Sequence, residues 1–104
     1  MAFKLGEFLK RFFASGGGDA PPERGPAVEY KGFAIAAVFR RQGSQWQTAG
    51  VIAKTIGDEL KEHYFIRAET HGSREAAAEF ALIKGRQIVD ERGDRIFALD
   101  GRPT

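Results

Sequence analysis

Few side chains in this chain of 104 residues have types and spacing that support catalysis or metal binding. The two histidines are His63, which follows a group of carboxylates, and His71. A structural zinc site needs three or four converging ligands, and the chain has no cysteine to contribute. Ser44 and Ser73 have no evident histidine and carboxylate partners for nucleophilic catalysis. We therefore expect a protein that is not an enzyme and uses no cofactor or metal.

Basic residues on the predicted strands are the candidates for contact with nucleic acid. They are Arg40, Arg41, Lys54 and Lys61. The net charge is only +2, and the part of the chain after residue 27 is almost neutral. A broad phosphate-binding face is therefore poorly supported, and DNA binding has to depend on a few residues.

Aromatic residues and one helix terminus offer weaker signals for the same function. Trp46 and Tyr64 have rings on which a base can stack, but in a small sheet such rings are more often buried anchors. Domains that bind double-stranded RNA place lysines at the start of their last helix. Here that position holds Arg74 beside Glu75, and we expect Arg74 to be solvated.

The element that organises the chain is a predicted amphipathic helix over residues 73–93. Ser73 is a suitable N-cap, and Gly93 suits the left-handed conformation that ends a helix. The main apolar stripe contains Ala77, Ala78, Ala81, Leu82, Gly85, Ile88 and Val89. Gly85 lowers helix propensity by about 1 kcal/mol relative to alanine, so close approach to a neighbouring backbone is the expected reason for it.

A second apolar strip on this helix comprises Ala76, Phe80 and Ile83. It lies roughly 90–120° from the main stripe, given about 100° per residue. Phe80 is hard to bury if the main stripe faces the sheet. Two interpretations stay open: contact with Phe97 or the N-terminal segment, or a surface for a partner or a second copy of the chain.

Three segments of alternating apolar residues precede the helix, over residues 28–41, 45–54 and 59–69. Short turns between them predict an antiparallel meander, with Gly32 marking a bend or bulge. We therefore expect an α+β fold, a three-stranded antiparallel meander with one C-terminal helix packed on it (β-β-β-α). The opposite face of the sheet would be exposed, which favours self-association or a protein partner.

The sequence divides into four parts. Residues 1–14 form an amphipathic segment, 15–27 a glycine- and proline-rich linker, 28–99 the βββα domain and 100–104 a loose tail. The absence of cysteine fits a cytoplasmic setting.

The N-terminal segment carries the alternative function, that of an adaptor on a membrane surface. Aromatic residues would insert and basic residues would face headgroups. The residues concerned are Phe8, Phe12, Phe13, Lys4, Lys10 and Arg11. Docking on the domain and fraying at the terminus are the other fates of this segment.

A family resemblance covers most of the chain, over about residues 28–97. The residues that carry it are Glu29-Tyr30-Lys31-Gly32-Phe33, Trp46, Gly50, Ile52, Phe65-Ile66-Arg67-Ala68, Ser73-Arg74-Glu75, Lys84, Arg86-Gln87-Ile88, Asp90-Glu91, Gly93-Asp94-Arg95 and Phe97. In these residues the chain resembles the HlyU-like family of small bacterial proteins, which is labelled a transcriptional activator of haemolysin. The resemblance implies a role linked to transcription.

Overall fold

The computed structural model describes residues 23–98, which form an antiparallel sheet followed by one α-helix and a short 3₁₀ helix. The elements are β1 (Val28–Tyr30), β2 (Phe33–Ala37), β3 (Arg40–Gln42), β4 (Gln45–Ile56), β5 (Glu59–His71), α1 (Arg74–Arg92) and the 3₁₀ helix (Gly93–Ala98). The α+β class, the antiparallel sheet and the helix after it are confirmed. The expected strand number of three is wrong, because the sheet has five strands.

The additional strand at the N-terminal end arises from the turn that joins β1 to β2. Lys31 and Gly32 both have positive φ, 53° and 85°, so two residues reverse the chain and Tyr30 pairs with Phe33. Positive φ at both central positions matches the twist of a hairpin. Gly32 is therefore part of a hairpin turn instead of a bend or bulge, and the turn was missed because lysine rarely adopts positive φ.

β2 and β3 follow one another along the same edge of β4 in a single register. Ala37 lies opposite Gly50, and Arg40 lies opposite Gln47. β5 pairs with the other edge of β4. The single strand predicted over residues 28–41 is thus three strands: β1 and β2 form a hairpin, and β3 continues the line of β2 along β4.

The two faces of the sheet bury different sets of side chains. The face under α1, here called the helix face, contributes Phe33, Ile35, Ala37, Ile52 and Phe65 to one core cluster. The opposite face, here called the second face, contributes Ala34, Ala36, Val38, Ala49, Val51 and Ala53 to another. The alternation of residues along each strand places them on these faces as the sequence predicts.

Helix α1 begins and ends at the residues that the sequence predicts. The Ser73 hydroxyl accepts a hydrogen bond from the Ala76 amide at 3.1 Å. Gly93 has a positive φ of 55°, but its ψ of −138° lies outside the expected left-handed helical region. A Cβ added at Gly85 would lie 2.5 Å from Cγ2 of Ile35. Gly85 therefore allows the helix to approach the sheet closely, and its neighbour is a side chain of β2 instead of the expected backbone.

The 3₁₀ helix closes one end of the helix face. Ile96 is buried in the core, and the ring of Phe97 stacks on that of Phe33 with centroids 6.2 Å apart. Phe97 thus contacts the sheet, and Phe80 has a different neighbour, described below.

The second face is buried, so the expectation of an exposed face is wrong. Its six apolar residues are 0–5 % exposed. Ala27, Leu60 and Ile66 pack against them.

Residues 23–25 hydrogen-bond to the edge of the sheet. The Gly25 amide donates to the Ala37 carbonyl and the Phe39 amide donates to the Glu23 carbonyl, both at 2.9 Å. Arg24 forms a bridge with Val38. The expected N-terminal helix, most of the expected linker and the C-terminal tail lie outside the described residues.

Candidate nucleic-acid interface

Two exposed arginines lie at the free end of the β3–β4 hairpin. Gly43 has a φ of 63° and, with Ser44, forms a two-residue turn that brings Gln42 opposite Gln45. Residues 40–47 are here called the arginine hairpin. Within residues 23–98, neither Arg40 nor Arg41 belongs to an ion pair.

The two arginines point to opposite faces of the hairpin because they are consecutive in one strand. The guanidinium carbon of Arg41 lies 5.1 Å from the centroid of the Trp46 ring, and its Nε donates to the Gly43 carbonyl at 3.2 Å. Arg40 lies on the second face, opposite Gln47. Both charges are therefore available to an anionic partner, and that of Arg41 is held in place.

Arg74 supports the base of the arginine hairpin from the start of α1. Its guanidinium carbon lies 4.2 Å from the Phe39 ring centroid and 5.5 Å from that of Trp46. One terminal nitrogen pairs with Glu23 at 2.9 Å, while Nε is buried and has no hydrogen-bond partner among residues 23–98. The expectation of simple solvation is wrong, since stacking on two aromatic rings holds the side chain against the sheet.

His71 joins the arginine hairpin to the helix. The Thr48 hydroxyl lies 2.8 Å from Nε2 of His71 in a hydrogen bond, and Thr48 is fully buried. The His71 ring lies against that of Phe80, with centroids 4.8 Å apart. Among residues 23–98, Phe80 therefore contacts His71, whereas Phe97 contacts Phe33.

The exposed part of the second apolar strip consists of two side chains. Phe80 is 43 % exposed and Ile83 is 44 % exposed, while Ala76 is partly buried. They lie on one flank of α1, where Phe80 contacts His71.

Lys54 and Lys61 occupy the other end of the sheet. They are opposite each other on β4 and β5. Lys54 pairs with Asp94 at 2.8 Å, and Lys61 pairs with Glu59 at 3.0 Å. Trp46 and Lys54 are eight positions apart on β4, or roughly 26 Å at about 3.3 Å per residue. The four basic residues chosen from the sequence therefore form two separate pairs.

A charged cluster holds the β1–β2 turn against α1. Lys31 Nζ lies 2.7 Å from an Asp90 carboxylate oxygen, and the Tyr30 hydroxyl donates to the same carboxylate at 2.9 Å. These hydrogen bonds lower the pKa of Asp90, and the bond that Lys31 donates to Asp90 raises the pKa of Lys31. The cluster stabilises the fold and lies away from the arginine hairpin.

Among residues 23–98, no group of three histidine, cysteine or acidic side chains is placed to hold a metal ion. His63 is buried, and burial, followed by the charges of Arg92 and Arg67, lowers its pKa. Tyr64 is hydrogen-bonded to Arg24, and burial, together with the charge of Glu62, raises its pKa.

Several of these contacts were not predictable from the sequence. Arg74 with Glu23, His71 with Thr48 and Lys31 with Asp90 each join residues that are far apart in the chain. No spacing rule identifies such pairs. The signal that could have been used is the Arg-Arg-Gln-Gly-Ser-Gln-Trp run, since a two-residue turn fixes Arg41 opposite Trp46.

The arrangement defines a small α+β module with basic and aromatic side chains gathered at one hairpin. Residues 7–97 match the profile of the HlyU family, described as "Transcriptional activator HlyU". The match spans most of the chain, and the chain therefore belongs to the HlyU family. No curated protein and no solved structure matches it.

The alternative function at a membrane surface depends on residues 1–14, which lie outside the described part of the chain. Within residues 23–98, no helix combines the length and the apolar character that crossing a bilayer requires.

Proposed function

We propose that this chain acts in transcriptional regulation by binding duplex DNA through the arginine hairpin. The observation that carries the proposal is the pair Arg40 and Arg41, exposed and without an ion pair among residues 23–98. The family description supports the connection to transcription.

The shape of the hairpin suits this role. The major groove of B-DNA, about 12 Å wide, admits a two-stranded β-ribbon. Because Arg40 and Arg41 project from opposite faces, a hairpin entering the groove presents one guanidinium toward each side. Arginine pairs with phosphate oxygens or bidentately with guanine, and each bidentate pair contributes about 1–3 kcal/mol of discrimination between bases.

The charge of the hairpin limits how strongly it binds. If two arginines neutralise about two phosphates, a plot of the logarithm of the binding constant against the logarithm of the salt concentration has a slope of about −1.8. Such a slope is shallow for a DNA-binding protein. We therefore expect DNA binding that is readily measured at low salt. At physiological salt, strong binding would need additional contacts to base edges or a second copy of the chain.

An equilibrium titration of labelled duplex DNA at low salt tests the proposal. The double variant Arg40→Ala/Arg41→Ala should lose most of the affinity, while its fold is checked by circular dichroism. The matched control is Lys54→Ala/Lys61→Ala, which removes the same charge from the distant end of the sheet. Equal loss in both variants would reject the hairpin as the interface, and loss in the control alone would move the interface to the lysine pair.

We also propose that Phe80 and Ile83 contact a second copy of the chain. Both are more than two-fifths exposed on one flank of α1. Phe80 lies against His71, which is opposite Trp46 in the sheet. Contact between two copies at this strip would bring two arginine hairpins near each other and double the number of arginines offered to DNA.

A further inference from the structure

The second face of the sheet lies opposite α1 and carries an apolar cluster of its own. Its core residues are alanines and valines of β2 and β4 and Val38, and they are 0–5 % exposed. Within residues 23–98, the apolar side chains packed against them are those of Ala27, Leu60 and Ile66. We propose that residues 1–14 of the same chain dock on this face, with a phenylalanine in its cavity.

The second face has a cavity of suitable size and polarity. The cavity has a volume of about 300 Å³ and is lined on this face by Val38, Ala49, Tyr64 and Ile66, with Arg40 at its edge. An apolar cavity of about 150 Å³ is sufficient to bind benzene in other proteins. A phenyl ring therefore fits, and Phe8, Phe12 and Phe13 are the aromatic residues of the segment that share one helical side.

The small residues of the face allow a helix to lie close to it. Ala34, Ala36, Ala49 and Ala53 are the small side chains of this face, and Ala49 lines the cavity. Large side chains from a partner fill such a face better than small ones, since close packing requires complementary volumes. The apolar side of residues 1–14 is composed of large residues, namely Leu5, Phe8, Leu9, Phe12 and Phe13.

The path of the chain leads to this face. Arg24 pairs with Val38 at the edge of the sheet, and its side chain reaches Glu62 and Tyr64 of β5. Residues 15–22 span up to roughly 26 Å when extended, at about 3.3 Å per residue. Neighbouring strands are about 4.8 Å apart, so a segment attached before Arg24 reaches any strand of the sheet.

The extent of the family match gives independent support. It begins at residue 7, before the glycine- and proline-rich stretch, and ends at residue 97. The profile therefore includes half of the N-terminal segment together with the sheet and the helix. A segment that belongs to the family's module is expected to have a fixed place on it.

The reactivity of an introduced thiol in the full chain tests the docking, because the chain has no cysteine of its own. Val38→Cys places a thiol of similar size in the wall of the cavity. In this variant the thiol should react slowly with a bulky reagent. Adding Phe8→Ser and Phe12→Ser should accelerate the reaction on the order of 100-fold, since two buried phenylalanines are lost. Equal rates with and without the two phenylalanines would overturn the proposal.

Two controls and one milder variant make the result specific. Ser44→Cys, in the exposed turn, should react quickly in every background. Lys4→Ser/Lys10→Ser alters the polar side of the segment and should leave the Val38→Cys thiol protected. Should the double phenylalanine variant unfold, the milder Phe12→Ala provides a smaller acceleration in a folded chain.

Two outcomes would assign the segment to another partner. Protection that disappears on dilution would place the segment of a second copy on the face and reject docking within one chain. In the other outcome, the Val38→Cys chain co-sediments with anionic vesicles, and its thiol reacts rapidly both on the vesicles and in buffer. That result would establish the membrane surface as the site of the segment.

Discussion

The guanidinium carbon of Arg41 lies 5.1 Å from the centroid of the Trp46 ring, across the β3–β4 hairpin. The register places these two residues directly opposite each other. Trp46 is partly buried and Arg41 is exposed, and a cation over an aromatic ring at such a surface site contributes about 0.5–1 kcal/mol. The contact holds a charge at the end of the sheet and links the proposed DNA interface to the chain's single tryptophan.

Arg41→Ala should weaken DNA binding at low salt and make the salt slope shallower by about 0.9, the value expected for one lost phosphate contact. The intrinsic fluorescence of Trp46 should change when DNA is added to the unmodified chain. Arg95→Ala, an exposed arginine of the 3₁₀ helix, is the control and should leave the slope unchanged. An unchanged slope in Arg41→Ala would show that Arg41 does not contact phosphate.

Gly85→Ala should destabilise the fold although alanine is the better helix former. The added methyl would lie 2.5 Å from Cγ2 of the buried Ile35. Overpacking typically costs about 1–3 kcal/mol, which outweighs the gain of about 1 kcal/mol in helix propensity. Urea unfolding should detect a net loss of up to about 2 kcal/mol. Gln87→Ala, on the exposed side of α1, should stay within about 0.5 kcal/mol of the unmodified chain.

The buried His63 should make stability depend on pH. Its pKa in the folded chain is below the ordinary value of 6.5, chiefly because of burial. The unfolded chain therefore binds more protons in this range, and the free energy of unfolding should fall as pH drops below about 6.5. Urea unfolding between about pH 5 and 8 measures this slope.

His63→Phe should reduce the pH slope, whereas His71→Gln should retain the contribution of His63. The exposed Asp90 acts in a different pH range, because its pKa is lowered from the ordinary value of 3.8. It adds stability at pH values above 3.8, and this stability is lost at more acidic pH. A slope that survives in His63→Phe would assign the pH dependence to another group.

Phe80→Glu should separate copies of the chain without unfolding it. Phe80 is 43 % exposed and contacts the His71 ring, so a charged side chain there is solvated in the monomer and unfavourable in a contact between apolar strips. Sedimentation of both chains over a range of concentrations measures the change. A folded variant with an unaltered association state would remove the strip as an interface.

The sequence predicted those parts of the fold that depend on local patterns. Helix α1 has local signals at both ends, Ser73 and Gly93, and its apolar stripe specifies the buried side. The alternation in β2 and β4 correctly separated the two faces. The β1–β2 hairpin was missed because its turn depends on a lysine at positive φ, which local preferences disfavour.

The candidate site was less predictable because it depends on distance in space. Arg40 and Arg41 are basic strand residues in the sequence, but so are Lys54 and Lys61, and no local pattern separates the two pairs. The register of β4 places them at opposite ends of the sheet, and the lysines have acidic partners. The stacking of Arg74 on Phe39 and Trp46 depends on where α1 begins relative to the sheet.

The most direct test of the central claim is a backbone amide chemical-shift map of the full chain during titration with duplex DNA at low salt. The proposed interface predicts the largest changes in residues 40–47 and at His71 and Arg74, with little change at Lys54 and Lys61. Changes concentrated at the two lysines, or no changes with any duplex at low salt, would contradict DNA binding through the arginine hairpin.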